Sequence, residues 1–239
     1  RAYMADEFLF WVRNGVDGFR CDAGYMIPEA TWKYIVARVR EEYPDTVFML
    51  EGLGGKLEVT DALLNRAGLD WAYSEIFQTY DRGAFEWYMP AAIDRARKYG
   101  ALVHFAETHD NDRLAKGGHT WARLRVALAA LLSHQGAWGI ANGVEWYATE
   151  KIDVHGKSDL NWGASDNLVD FIAQLNHLIT HHPDFAGNEP ISLVERGDGN
   201  FLAVTRGSTL ILANLDCGRG VSAHWDAAAF PASSDADDL

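Results

Sequence analysis

Short apolar runs ending near a charged residue recur about every 30 residues through the first 145 positions, with a helix-compatible stretch between consecutive runs. The runs are Gly15 to Asp22, Val47 to Leu50 (closed by Glu51), Leu69 to Tyr73, Leu102 to Ala106, and a Gly-rich apolar stretch from Gly136 to Val144. Helices are expected over Ala5 to Asn14, Pro28 to Tyr43, Val59 to Ala67, Pro90 to Tyr99 and Thr120 to Ser133. Asn14-Gly15 and Pro44-Asp45 supply stop signals. Strands separated by whole helices cannot pair as hairpins, so the alternation implies a parallel sheet with crossover helices, either a doubly wound sheet or a (β/α)8 barrel.

The texture changes after a last amphipathic helix, Asn167 to Thr180, which closes at His181-His182-Pro183. Short strands follow at Ile191 to Val194, Phe201 to Thr205 and Thr209 to Leu215. The turns Gly197-Asp198-Gly199 and Gly207-Ser208 separate them, which reads as a small antiparallel β domain. The expected division is residues 1–185 for the parallel α/β part and 186–239 for the β domain. The Ala/Ser/Asp-rich tail at 227–239 is expected to be poorly ordered.

Charge and composition narrow the function. The formal net charge of −13 comes with no clustered Lys/Arg patch, so a nucleic-acid partner is not expected. No run of about 18 apolar residues marks a membrane span. Cys21 and Cys217 are far apart and outside any metal-ligand spacing, so both read as free thiols. No Gly-rich phosphate loop of either common type is present, which counts against a nucleotide-dependent enzyme.

In parallel α/β folds the reacting groups sit at the C-terminal ends of strands. Three carboxylates fall there: Asp22 after the first run, Glu51 after the second, and Asp110 beyond the fourth. Neighbouring strands lie about 4.8 Å apart, which can hold two carboxyl groups at the ~5–5.5 Å of a retaining glycosidase. Strand alternation puts Arg20 on the face of Asp22, where its cation keeps that carboxylate ionised and oriented. The apolar approach Val47-Phe48-Met49-Leu50 suits Glu51 to hold a proton as general acid.

Gly18-Phe19-Arg20-Cys21-Asp22, the strand-end Glu51 and Phe105-Ala106-Glu107-Thr108-His109-Asp110 resemble, in order, three sequence regions of the α-amylase family of glycoside hydrolases, family 13. Gly136 to Glu145 looks like the eighth-strand segment of that family, and the β domain looks like its C-terminal domain. The resemblance implies a (β/α)8 barrel of which strands four to eight are present, with strands one to three expected upstream of Arg1. It implies Asp22 as nucleophile, Glu51 as general acid/base, and Asp110 with His109 as the clamp on hydroxyls of the sugar being cleaved. Arg20 would be the partner of the nucleophile. The implied substrate is an α-1,4-glucan or maltooligosaccharide. Calcium, bound by several family members, would have its ligands upstream of Arg1.

Two features depart from the family pattern. Its strand-three Asp-x-x-x-Asn-His motif is absent, and Gly24-Tyr25-Met26 stands where many members place Lys and His after the nucleophile. The chain alone is therefore expected to lack part of a working site, and its leaving-group subsites are left open. Hydrolysis by double displacement is the leading expectation. The alternatives are glucan transfer on the same fold and a non-catalytic binding module, against which the full set of three carboxylates counts. Trp138, Trp146, Tyr147 and Trp162 divide evenly between sugar platforms and packing, and the polar loop from Lys151 to Gly163 is a candidate for substrate contact.

Overall fold

The computed structural model describes residues 1–194 and 199–222. The first two residues of the expected Gly197–Gly199 turn and the tail at 227–239 lie outside them.

Five short strands, β1 (Gly18–Cys21), β2 (Val47–Leu50), β3 (Trp71–Tyr73), β4 (Ala101–Phe105) and β5 (Gly136–Gly139), form one sheet in sequence order. The pairs β1/β2, β2/β3 and β3/β4 are parallel. Helices α1 (Ala2–Arg13), α2 (Glu29–Arg40), α3 (Leu57–Asn65), α4 (Arg82–Lys98) and α5 (His119–Leu131) alternate with them. The α/β class read from the alternation is the class observed. A second sheet, β6 (Ile191–Leu193), β7 (Phe201–Arg206) and β8 (Thr209–Asn214), is antiparallel throughout and follows α6 (Val169–His181) and the one-turn α7 (Pro183–Ala186).

Sequence decides the local form. α2 buries Trp32, Ile35, Val36 and Val39, the spacing of one helical stripe, and α1 stops where the Asn14 side chain donates to the Phe10 carbonyl at 2.7 Å before Gly15 at φ 93°. β5 approaches β4 so closely that a Cβ on Gly136 would lie 1.8 Å from the Leu102 carbonyl oxygen, so no other residue fits there. The β7–β8 hairpin turns on Gly207 at φ 58°, the first central residue of a two-residue loop.

Two elements differ from expectation. α4 begins at Arg82 rather than Pro90 and runs through the proline. Pro90 is exposed, and the buried Phe85, Tyr88 and Met89 before it and Ala92 after it supply a packed stripe that outweighs the lost hydrogen bond. Short 3-10 turns, unread from the sequence, follow four of the five parallel strands, at Gly24–Met26, Ile76–Gln78, Leu114–Gly117 and Val144–Trp146.

The chain divides into two compact units, Arg1–Glu75 with Ala91–His104 and Gln135–Ala137, and the remainder. In the first, Phe8, Phe19 and Phe48 form an aromatic cluster with Phe8 and Phe19 edge to face at 4.6 Å. In the second, α5 and α6 bury Val126, Ala129, Ala130, Leu168 and Leu175 together with Leu114, Val144 and Tyr147. There the Arg206 guanidinium, 2% exposed, donates to the carbonyls of Leu131, Ser133, Asp184 and Phe185 and covers the Phe185 ring at 4.7 Å. Both cysteines are free, and burial pushes the Cys21 thiol up to about 12.

Candidate active site

In the first unit the parallel register pairs Cys21 with Leu50, so the next residues, Asp22 and Glu51, leave adjacent strands at the same end. Backbone bonds extend that register past the strands: Glu51 N–H donates to the Cys21 carbonyl at 3.1 Å and Gly24 N–H to the Glu51 carbonyl at 3.1 Å. Between them Ala23 takes a left-handed conformation, φ 42° and ψ 36°, which turns the chain sharply after Asp22 and aims the Ala23 N–H at Glu51 Oε2, 2.8 Å away. A non-glycine residue held there costs on the order of 1 kcal/mol. Gly24 is fixed by packing, since a Cβ would meet Leu50 Cδ1 at 2.5 Å.

The two carboxylates occupy different surroundings. The Asp22 side chain is 78% exposed and takes a 2.5 Å ion pair from Arg20 Nη1. Arg20 also donates Nε–H to the Tyr73 hydroxyl at 3.1 Å and lies 5.5 Å from the centre of that ring. Burial works against the Arg20 charge, but the bonds to Asp22 and Tyr73 more than offset it and hold the guanidinium above its ordinary value. Glu51 is buried, 9% exposed, and both its oxygens accept backbone N–H groups, Oε2 from Ala23 and Oε1 from Leu53 at 2.9 Å. One carboxylate is thus open and cation-paired, and the other enclosed and fixed by main chain.

In the second unit, the turn after β4 carries His109 and Asp110. Their side chains approach at 3.5 Å, 37% and 74% exposed, and the Asp110 N–H donates to Thr108 Oγ1 at 3.3 Å. Beneath them Glu107 is 2% exposed and forms an ion pair at 2.8 Å with Arg113 Nε, itself 1% exposed. Glu107 also accepts the Leu114 N–H at 2.5 Å, and Arg113 donates to the Asn142 carbonyl at 2.8 Å. Burial raises the Glu107 carboxyl above its ordinary value, partly offset by the Leu114 N–H and the Arg113 charge.

Sequence reasoning missed Tyr73, Glu107 and Arg113. Glu107 stands inside the Phe105–Asp110 stretch already singled out, and Arg113 follows three residues after Asp110. Tyr73 carried no signal, because its pairing with Arg20 arises only from the sheet order. Of the four aromatic candidates, Tyr147 is buried, 6% exposed, with its ring stacked on His119, whereas Trp162 is 76% exposed. Among the described residues no three His, Cys, Asp or Glu side chains converge as a metal site, and no helix is long and apolar enough to cross a membrane.

No protein-family model matches the chain. Curated relatives do: the chain is 28% identical to the α-1,4-glucan:maltose-1-phosphate maltosyltransferase of Rhodospirillum rubrum over 75% of its length and 27% of that protein. It is 24% identical to the enzyme of the same name from Corynebacterium pseudotuberculosis over 91% of its length and 35% of that protein. It therefore spans about a third or less of these relatives. Among solved structures, an α-amylase from Anoxybacillus superposes with a TM-score of 0.69 at 18% identity, over 89% of this chain and 51% of that one. An α-amylase from Lactobacillus plantarum gives a TM-score of 0.65 at 21% identity, over 86% of this chain and 52% of that one.

Parallel strands alternating with helices, acidic residues at the strand ends and a following antiparallel sheet define an α/β-barrel protein with an appended β domain. The chain is similar in sequence to part of these maltosyltransferases and in fold to about half of these α-amylases, in line with the resemblance that its strand-end motifs carry.

Proposed function

We propose that this chain carries the nucleophile and the acid/base of a retaining enzyme acting on α-1,4-glucans. The observation that carries the reading is the pair of adjacent strand ends bearing unlike carboxylates, Asp22 open and held by Arg20, Glu51 enclosed and held by backbone N–H groups. Asp22 attacks the anomeric carbon while Glu51 gives its proton to the departing oxygen, leaving a glycosyl ester on Asp22. Glu51, now ionised, takes a proton from the incoming hydroxyl, which displaces Asp22 and restores both groups. By the family resemblance, Asp110 and His109 are the residues proposed to bind sugar hydroxyls, an interaction that strengthens as a ring flattens.

The incoming hydroxyl decides between hydrolysis and transfer. The matched curated relatives are named as maltosyltransferases, which favours a second glucan over water as acceptor. Calcium is no part of this proposal, since each step runs through residues of this chain.

The test uses the protein carrying this chain, with maltooligosaccharides alone and with maltose 1-phosphate as donor, and separates chain-lengthened products from released sugar. Asp22→Asn and Glu51→Gln are each expected to lower kcat/KM about 10³-fold or more, on the order of 4 kcal/mol. Activity retained within about threefold in either variant removes that residue from the mechanism. Absence of turnover of any α-glucan by the unaltered protein favours a binding module.

A further inference from the structure

We propose that His177 and His181, one turn apart on α6, form a two-imidazole site for a late first-row divalent ion, Cu2+, Ni2+ or Zn2+. It uses none of the residues assigned to glucan chemistry and does not depend on that reading.

Residues four apart on a helix stand one above the other on the same face. Both rings are exposed, their centres lie 4.2 Å apart and their planes are inclined by 25°. His181 Nδ1 lies 2.9 Å from the His177 carbonyl oxygen. A carbonyl only accepts, so Nδ1 carries the proton and donates it, and the neutral ring keeps the Nε2 lone pair for a ligand. Metal-binding imidazoles are commonly held in this way, with the second ring nitrogen donating to a carbonyl that fixes tautomer and ring orientation. His182, next in sequence, is the opposite case. Its Nδ1 accepts the Asp184 N–H at 3.3 Å, which leaves the proton of the neutral ring on Nε2, and the ring packs edge-on against Phe185 with centres 5.6 Å apart. His182 is therefore no ligand.

The donor atoms decide the ion. Imidazole nitrogen suits Cu2+, Ni2+ and Zn2+, whereas Mg2+ and Ca2+ require oxygen ligands. Two nitrogens each about 2.0–2.1 Å from one ion stand roughly 3 Å apart, a spacing that the two ring edges reach by a small turn of the exposed His177 ring. Among the described residues no third His, Cys, Asp or Glu joins the pair, so water completes the coordination. His181 also lies in the last turn of α6, where the helix dipole favours a cation. An ion that bridges one helical turn binds the folded helix better than the unfolded chain, and so it clips the end of α6 where the chain passes through His182 into α7.

Cu2+, Ni2+, Zn2+ and Mg2+ are titrated separately into the whole protein carrying Cys217→Ser, which removes an exposed thiol as a rival ligand. Cu2+ should bind most tightly and Mg2+ should give no response. His177→Ala and His181→Ala are each expected to raise the Ni2+ Kd about tenfold or more, because the second imidazole no longer adds its bond within the same molecule. Ala173 is exposed one turn before His177. Adding Ala173→His to the His181→Ala protein rebuilds a pair at the same spacing and should return the Kd to within about threefold of the parent value. Ni2+ should raise the Tm of the parent and of the rebuilt pair, and not that of either single variant. Without metal, circular dichroism and Tm should match across all four proteins, since exposed side chains contribute little to stability. A Ni2+ Kd that neither single replacement changes, or that only one of them changes, overturns the two-imidazole site. Loss in both without recovery in the rebuilt pair overturns it too, because the spacing on the helix would not then be what binds.

Discussion

Glu107 and Arg113 show what one pair of side chains can impose on a turn. Each is all but removed from water, so losing one partner leaves the other charge buried and alone. Glu107→Gln or Arg113→Met should each lower stability by about 3–5 kcal/mol in urea unfolding. A double replacement by apolar residues of similar size should cost less than either single change, because no uncompensated charge remains. The pair brackets His109 and Asp110 in sequence, whose side chains are 37% and 74% exposed. Arg20 plays the comparable part for Asp22, and Arg20→Lys, which retains the charge but cannot reach both Asp22 and the Tyr73 hydroxyl, should lower kcat about tenfold or more with KM little changed.

At the scale of elements, α4 carries an internal proline. Pro90→Ala should restore a backbone donor and raise stability by about 1–3 kcal/mol, read as a higher urea midpoint with the m-value unchanged. α4 also shows where sequence pattern stops being informative. A proline reads locally as a helix start, and only the buried residues on both sides of it reveal that the helix continues. β2 was legible to the residue, because Val47 to Leu50 is bounded by Pro44-Asp45 and Glu51. The positions of Asp22 and Glu51 directly after β1 and β2 were legible too, since alternation and βα spacing are local properties of the chain, whereas Asp110 lies on the turn five residues past β4. The 3-10 turns after the strands were not, because they depend on close contacts such as Gly24 against Leu50. The Arg20–Tyr73 bond was hidden for the same reason, as it joins residues 53 apart in sequence.

For the molecule as a whole, the acid limit of stability should be set in part by Asp184. Burial would raise this carboxyl, but bonds from Thr209 and Ser208 outweigh it and hold the group below its ordinary 3.8. A depressed folded value means that its contribution is complete above the unfolded value and disappears as pH falls below about 4. Asp184→Asn should therefore lose about 2–3 kcal/mol at neutral pH, and its stability should fall less steeply than that of the parent below pH 4. Asp184 lies beside a second feature with wider reach. Arg206 of β7 binds the carbonyls of Leu131 and Ser133 at the end of α5 and those of Asp184 and Phe185 in α7. Hairpin and helix end therefore have no separate melting points: the hairpin cannot peel away without stranding four carbonyls at once. Amides of β7 and of the last turn of α5 should exchange with deuterium in a single step, and Arg206→Met should split that step into two.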